Sequence, residues 1–130
     1  MADTLTRVIL EDGPRRAVVR VQLNCDGTGS TDAILVDRSV LVAPEAARLV
    51  IEKVDFSIDG MTIALEFDHT TDDHIASLTG WGEIDFTMNG RYHGYVDPDS
   101  AGGTGDIVGT TTGHSNGDTA TLVFWLRKKY

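Results

Sequence analysis

The sequence predicts an all-β fold, an antiparallel β-sandwich of jelly-roll-like type, and two patterns indicate it. The first is a set of four turn-forming dipeptides, each between runs of alternating apolar residues: Asp12-Gly13, Asp59-Gly60, Asn89-Gly90 and Asn116-Gly117. Such dipeptides are strong hairpin signals because tight hairpin turns need positive φ angles. The second is the regular spacing of about eight or nine strand-like segments, which is typical of a sandwich or small barrel. With 130 residues, the chain fits a single domain spanning residues 1–130.

The first part of the chain predicts a β-hairpin followed by a third strand. The hairpin strands cover residues 4–11 and 15–23, on either side of Asp12-Gly13. Apolar side chains alternate along the second of these strands and share one face: Val19, Val21 and Leu23. After a loop rich in glycine, serine and aspartate, residues 33–42 are expected to form the third strand.

A bulged strand is expected before the second turn dipeptide. Pro44 suits the first position of a helix, so residues 44–49 predict one helical turn. A strand then runs to Ile58, and a shift in its apolar alternation indicates a β-bulge between two sets of residues: Leu49 and Ile51, then Val54, Phe56 and Ile58. After Asp59-Gly60, alternating residues define one face of the next strand: Met61, Ile63, Leu65 and Phe67.

The remaining segments alternate between polar loops and strands. A loop is expected over residues 68–80, with a helical turn at 72–77. Strands 83–88 and 91–96 follow as a hairpin around Asn89-Gly90. A glycine-rich loop over residues 97–105 then leads to the last hairpin, strands 106–112 and 118–128 around Asn116-Gly117. Their apolar faces should line the core with the face over residues 61–67: Ile84, Phe86, Leu122, Phe124 and Leu126. Val123 and Trp125 fall on the other face of the last strand, which predicts partial cover there too.

Composition and charge exclude several classes of function. The net charge is −9, and nucleic-acid binding needs a positive field, so direct DNA or RNA binding is not expected. The longest apolar runs have about six residues, whereas a membrane span needs about 20, so no membrane segment is expected. The first residues lack the basic and apolar regions of a signal peptide. Cys25 is the single cysteine, so no intrachain disulfide can form, which fits a reducing cytosol. Its side chain is expected to be buried or half-buried.

The densest cluster of metal-ligand side chains lies in residues 68–74, which contain His69, His74 and three aspartates. Such a cluster suits a divalent metal ion, but a metal site draws ligands from several strands, and a contiguous acidic loop is typical of solvated surface. Residues 26–32 are similar to a calcium loop but lack the distal glutamate of an EF-hand. We therefore expect no cofactor and no tightly held metal.

No arrangement of residues in the sequence predicts catalysis. Glu83 and Asp85 are expected to share one face of a strand, and Asp97 and Asp99 form a second carboxylate pair, but both pairs fit ordinary polar surface. No Gly-x-Ser-x-Gly motif presents a serine nucleophile. The glycine-rich residues 102–105 lack the Lys-Ser/Thr pair of a phosphate-binding loop. The expectation is a protein that is not an enzyme.

Five residues are the candidates for an interface with a protein partner. Arg127 and Lys128 end the last strand, where charge protects a free sheet edge from promiscuous pairing. Asp97 and Asp99 belong to the long loop over residues 97–105, and loops on a rigid β scaffold often carry function. Trp81 is an interface anchor or, with Trp125, a platform on which a sugar ring stacks.

The last third of the chain resembles a segment of small virion proteins. Residues 105–114, which read Gly-Asp-Ile-Val-Gly-Thr-Thr-Thr-Gly-His, and the apolar strand 117–128 ending in Arg-Lys are similar to the closing hairpin of head decoration (cement) proteins of tailed bacteriophages. The resemblance implies a non-enzymatic β-sandwich that is made in the host cytoplasm and becomes part of the virion. It also implies binding to a major capsid protein or another virion protein, and a homo-oligomer, with a trimer as the first expectation.

Two other interpretations stay open. One is a carbohydrate- or small-ligand-binding β-sandwich, with Trp81, Tyr92 and Tyr95 near a loop rim. The other is a small hydrolase or isomerase on a cupin-like barrel, with a catalytic histidine from a set of three: His69, His74 and His93. A glycan that raises the thermal stability would favour the first interpretation. Stoichiometric bound metal would favour the second, and co-purification with a multimeric shell would favour the virion protein.

Overall fold

The described part of the chain consists of eight antiparallel strands. The computed structural model describes residues 4–27, 33–41, 48–87, 94–96 and 105–129. In chain order the strands are β1 (Thr4–Asp12), β2 (Arg16–Asn24), β3 (Ala33–Val36), β4 (Arg48–Phe67), β5 (Asp73–Asp85), β6 (Tyr95–Val96), β7 (Ile107–Thr112) and β8 (Thr119–Lys129). They make up 73% of the described residues, which include one 3-10 turn at Arg38–Val40 and no α-helix. The predicted all-β, antiparallel fold is confirmed.

The strands form one sheet that is nearly closed. Its hydrogen-bonded path runs β1-β2-β8-β4-β7-β3, while β5 and β6 pair with β4 off this path. The long strand β4 makes this arrangement possible because its neighbours change along its length. Residues 48–59 of β4 pair with β8, whereas residues 62–67 pair with β7 on the same edge. Strand β5 pairs with both halves of β4 along the opposite edge.

The hydrophobic core collects the inward faces of these strands. Most of the residues predicted to line it are fully buried: Met61, Ile63, Leu65, Phe67, Leu122, Phe124 and Leu126. Ile84 and Phe86, also predicted to face inward, are half-buried and pack against this cluster. The predicted inward face of β2 is buried as well: Val19, Val21 and Leu23. Period-2 alternation therefore identified the buried faces correctly.

Two local predictions are confirmed. Strands β1 and β2 form the first hairpin, which is closed by a backbone hydrogen bond from Gly13 N to Arg16 O of 2.8 Å. The register of β4 against β8 shifts between Ile51 and Lys53, which is the predicted bulge. The extra residue changes the face on which later apolar residues lie, because successive side chains of a strand point to opposite faces.

The second turn dipeptide, Asp59-Gly60, is not a hairpin turn. Strand β4 runs through it without reversal, and the dipeptide marks the bend at which the neighbour changes from β8 to β7. Gly60 has a φ of +84°, which glycine adopts without steric penalty. A Cβ at this position would lie 2.3 Å from Asp118 Oδ1. The local signal for a positive φ is therefore satisfied by a bend instead of a turn.

Strands β7 and β8 do not pair with each other, so the predicted last hairpin is wrong. Strand β7 lies between β3 and the second half of β4, whereas β8 lies between β2 and the first half of β4. In the connection around Asn116-Gly117, Asp118 N donates to Ser115 O at 3.1 Å, and two backbone hydrogen bonds join this turn to Cys25. The segment that resembles the closing hairpin of virion proteins is thus two strands at different positions along one edge of β4.

Strand β5 begins earlier than predicted. It starts at Asp73, so the helical turn expected over residues 72–77 is wrong and the polar loop is shorter than residues 68–80. Ile75 and Leu78 are both buried although they are three residues apart, a spacing that imitates a helix. The register of β5 against β4 skips Ile75, and this bulge reconciles the helical spacing with a strand.

Other boundaries also differ from the predictions. Strand β3 ends at Val36, and the 3-10 turn follows where the sequence predicted a continuous strand to residue 42. Strand β6 pairs with β4 and not with β5, so the described residues do not contain the expected hairpin of strands 83–88 and 91–96. Leu49 of the expected helical turn belongs to β4. Residues 42–47 and the Asn89-Gly90 dipeptide lie outside the described residues.

The substitution Phe124→Ala tests the buried face of β8. Phe124 is fully buried, and truncating such a side chain costs about 3–5 kcal/mol. We expect urea denaturation to show a loss of this size in the free energy of unfolding. The matched control is Val123→Ala on the half-buried outer face, which should cost about 1 kcal/mol. Equal losses for the two variants would contradict the assigned faces.

The substitution Gly60→Ala tests the bend of β4. The new Cβ requires both a strained φ and displacement of the Asp118 carboxylate, so we expect a loss of at least about 2 kcal/mol. Gly113→Ala is the control, because Gly113 has a φ of +69° but no heavy atom within 4 Å of the added Cβ. It should lose only about 1 kcal/mol from backbone strain. Thermal and urea denaturation measure both, and a smaller loss for Gly60→Ala would argue against the close approach.

Candidate functional site

An apolar seam lies at the two free ends of the sheet path, strands β1 and β3. Among the described residues, five large hydrophobic side chains are exposed, and four of them lie on these strands or on the 3-10 turn after β3: Ile9, Leu10, Ile34 and Val40. A cavity of about 210 Å³ opens between the elements, with Arg7 and Asp37 beside its apolar walls. We refer to these six residues as the seam. Clusters of exposed apolar side chains of this kind mark interaction sites.

Strand β1 exposes apolar side chains on both faces because it is bulged. Arg7 and Ile9 lie opposite the buried residues Val21 and Val19 of β2, on the inward side of the sheet. The register then shifts between Ile9 and Glu11, which leaves Leu10 as the extra residue, 54% exposed. Three consecutive apolar residues, residues 8–10, break the alternation of β1. This run is the signal in the sequence for the seam, which the predicted interface residues missed.

Polar groups connect the two edges of the seam. Arg7 Nη1 donates a hydrogen bond to the carbonyl oxygen of Ile34 at 2.9 Å, so a side chain joins β1 to β3. Next to the seam, the backbone N–H of Arg38 donates to Asp106 Oδ1 at 2.9 Å. An edge strand presents backbone N–H and C=O groups on which a further strand can pair. The seam therefore combines apolar side chains with backbone hydrogen-bonding groups.

Lys128, which the sequence predicts at an interface, is buried within the described part of the chain. Strand β8 is flanked by β2 and β4, so Arg127 and Lys128 do not protect a free edge. The Lys128 side chain is 1% exposed, and its Nζ forms an ion pair with Asp12 Oδ1 and donates to Gly13 O. It thereby fastens the end of β8 to the turn of the first hairpin. Arg127 is half-exposed on the other face of β8.

Trp81 is the most exposed large apolar side chain among the described residues, at 85%. It lies on β5 opposite Ser57 of β4 and is accessible to a partner. Trp125 is half-buried, and the Nζ of Lys53 lies 4.2 Å from its ring centroid. Trp125 lies opposite Lys53, whereas Trp81 lies opposite Ser57, and Lys53 and Ser57 are about 13 Å apart along β4. The two tryptophans therefore do not form one platform.

Asp97 and Asp99, the two predicted interface residues of the long loop, lie outside the described residues.

The acidic segment over residues 68–74 forms a tight turn between β4 and β5. Asp72 Oδ1 accepts a hydrogen bond from His69 N at 3.0 Å, which closes the turn. Nδ1 of the buried His69 contacts Oδ2 of Asp73, and His74 is exposed. In the residues that the structure describes, no group of three or more histidine, cysteine, aspartate or glutamate side chains is placed to hold a metal ion.

The other candidate groups have local partners. Glu83 and Asp85 share the outer face of β5, but Glu83 pairs with Lys53 at 3.5 Å, and Asp85 Oδ1 accepts from Thr87 N at 2.8 Å. Cys25 is buried, as predicted, and Gly27 N contacts its Sγ at 3.4 Å. Residues 28–32 and 102–104 of the predicted glycine-rich loops lie outside the described residues.

Tyr95 is a packing residue and does not share a rim with Trp81. Its ring centroid lies 5.7 Å from that of Phe67 and 5.4 Å from that of Phe86. Its hydroxyl donates to His74 O at 3.0 Å. The site of Trp81, Tyr92 and Tyr95 considered from the sequence is therefore not assembled from its described members. Tyr92 and His93 lie outside the described residues.

Comparisons with known proteins provide no relative. The chain matches no family model and no curated protein sequence. Among the described residues, no helix is long and apolar enough to cross a lipid bilayer. Any functional conclusion therefore rests on the residues and on their geometry.

The pair of Lys128 and Asp12 makes a prediction about stability. Lys128→Met leaves a carboxylate that is only 13% exposed without its cation, so we expect a loss of about 3–5 kcal/mol in the free energy of unfolding. Arg127→Met, one residue away and half-exposed, should cost about 1 kcal/mol or less. Adding Asp12→Leu to Lys128→Met should recover much of the loss. A double variant that is no more stable than Lys128→Met would show that the ion pair is not the source of the effect.

Proposed function

We propose that the protein is a non-enzymatic structural protein of a tailed-bacteriophage virion, and that it acts as a decoration protein bound to the capsid. The seam is the observation that supports an assembly role: exposed apolar side chains concentrate beside two sheet edges that have no strand partner among the described residues. The resemblance of residues 105–128 points to the virion as the assembly, and it is a likeness of sequence and not of strand pairing, because β7 and β8 do not form a hairpin. In this role the major capsid protein, or another virion protein, is the partner.

The seam suits a protein partner better than a small molecule. Large exposed apolar side chains on adjacent elements favour burial against another protein surface, and unpaired strand edges add backbone hydrogen bonds to that contact. A partner that covers the seam removes Ile9, 43% exposed, and Val40, 61% exposed, from water, and both line its cavity. Many copies on one shell would each contribute a weak contact, and multivalency would hold the layer together.

Self-association follows from the same two edges. Strands β1 and β3 are different edges, so a contact in which β1 of one copy meets β3 of the next is heterologous, and it would replace the hydrogen bond from Arg7 to Ile34 O within each copy. Heterologous contacts close into rings when the rotation between copies permits it. A homotrimer is the expected ring. The charge of −9 on each copy keeps copies apart except where a specific contact overcomes repulsion.

The experiment for the virion role compares purified particles made with and without the protein. We expect the protein in stoichiometric amounts on the particles, and a higher temperature of shell disruption when it is present. Light scattering coupled to size-exclusion chromatography measures the oligomer in solution. A monomeric protein that is absent from purified particles would refute the proposal.

Seam variants test the binding surface. Ile9→Lys with Leu10→Lys places two charges on the seam, and we expect binding to shells to weaken at least about tenfold, because buried unpaired charges are costly. The matched control is Gln22→Lys with Asn24→Lys, which adds the same charge to exposed positions of β2 and should bind normally. Equal loss in both pairs would indicate a nonspecific charge effect. Loss in Trp81→Ala with normal binding of the seam variant would place the contact on β5 instead.

A further inference from the structure

Strand β5 is an edge strand in the part of the chain that the structure describes. It pairs with β4 along one side, while β6 pairs with β4 beyond the point where β5 ends. Tyr95 donates its hydroxyl to His74 O near the start of β5, and no described strand pairs with the outer side. With 13 residues β5 is long for an edge, since native proteins keep edge strands short or cover them. Its backbone N–H and C=O groups are therefore a template for a further strand.

The outer face of β5 carries an exposed indole and two carboxylates. Trp81, Glu83 and Asp85 follow one another at intervals of two residues, so their side chains share one face, and all three are exposed. Trp81 is the most accessible of the large apolar side chains described, at 85%. On the adjacent β4, Asp55 lies directly opposite Glu83 and adds a third carboxylate to the same face. We refer to these four residues as the acidic face.

The charge of the acidic face is only partly balanced within the described chain. Lys53 lies opposite Asp85, and its Nζ is 3.5 Å from Glu83 Oε2. Asp55 Oδ1 is buried and has no hydrogen-bond partner among the described residues. A carboxylate oxygen removed from water without a partner is costly, and a cationic group nearby lowers that cost. The acidic face therefore favours a positively charged partner.

The other face of β5 offers apolar surface at the same edge. Gly82 and Ile84 alternate with the exposed residues, and Ile84 is half-buried against the core. Gly82 lies opposite Phe56 of β4, whose ring is 3.3 Å from the place where a Cβ would lie. Phe56 is also only half-buried. A strand added to β5 would cover Ile84 and Phe56 with every second side chain, because side chains alternate between the two faces of a sheet.

We propose that β5 binds an extended basic segment of another protein as an added strand, with arginine or lysine at every second position over the acidic face and apolar residues between them. A guanidinium group stacks well on an indole and forms paired hydrogen bonds with a carboxylate, so Trp81 and Glu83 suit arginine. A second copy of this chain is disfavoured as the partner because each copy carries −9. The proposal rests on β5 alone and does not depend on the seam or on the virion role.

The test uses the full-length protein and three synthetic peptides of equal length. The first alternates arginine with valine, the second alternates glutamate with valine, and the third contains the arginines and valines of the first in two separate blocks. Calorimetry should show binding of the first peptide and at least about tenfold weaker binding of the other two. The second has the wrong charge for the acidic face, and the third lacks the alternation of a two-faced strand.

Variants of the protein assign the contact to the acidic face. Trp81→Ala should bind the alternating basic peptide at least about fivefold more weakly, because the indole face is lost. Its circular dichroism and melting temperature should not change, since Trp81 is 85% exposed. Glu83→Ala should also bind more weakly, whereas Glu11→Ala, which removes an exposed carboxylate from β1, should bind normally. In Trp125→Phe, which keeps one of the two tryptophans, the peptide should change the emission of Trp81.

Two methylated forms of the basic peptide test strand addition. Methylating the backbone nitrogens of the arginines removes the N–H groups along one edge of the extended peptide, and methylating those of the valines removes them along the other. An added strand pairs with β5 through one edge, so one form should lose binding and the other should keep it. Equal affinity of the two methylated forms, no binding of the basic peptide, equal binding of the block peptide, or equal affinity of Trp81→Ala would overturn the proposal.

Discussion

The hydrogen-bond ladder of β4 is the interaction on which the rest of the structure depends. Four strands pair with this one strand: β5, β6, β7 and β8. Buried backbone groups need partners, so a long strand that is paired along most of both edges determines where its neighbours lie. At the bend around Gly60, β4 changes its neighbour from β8 to β7, and the continuous sheet curves around the core until it is nearly closed. It also leaves β1 and β3 as the free ends of the path, where the seam forms.

The sequence predicts which side chains are buried better than it predicts which strands pair. Alternation over Met61 to Phe67 and around Phe124 identifies the core faces, because the pleat dictates the period of 2. Pairing depends on contacts between distant residues, so local turn signals mislead. Asp59-Gly60 and Asn116-Gly117 report only local backbone preference, which a bend or a connecting turn satisfies as well as a hairpin does. The dipeptides alone do not distinguish a hairpin turn from a bend or a connecting turn, because the difference depends on which strands pair.

The sequence predicts only part of the candidate site, through the same local patterns. Lys128 follows Phe124 and Leu126 at intervals of two residues, so alternation places it on the same inward face of β8. Its position near the end of the strand nevertheless suggests a surface role. Its partner, Asp12, lies far away in the chain, and a lone sequence does not show such a pair. The seam had a local signal in the apolar run of residues 8–10. The register mismatch between β4 and β5 had no local signal, because it depends on how two strands pair.

The position of β8 has a consequence for how the chain acquires its structure. This strand is made after all the other described strands, yet it lies between β2 and β4. Until the ribosome has released it, the first hairpin and the bent ribbon of β4 and β5 have no ladder between them, and both expose unpaired edges. Nascent chains in that state are open to misassociation with one another, and closing loops of this length is slow. The rate at which β8 emerges from the ribosome, and chaperone cover until it does, therefore bear on the yield of native protein.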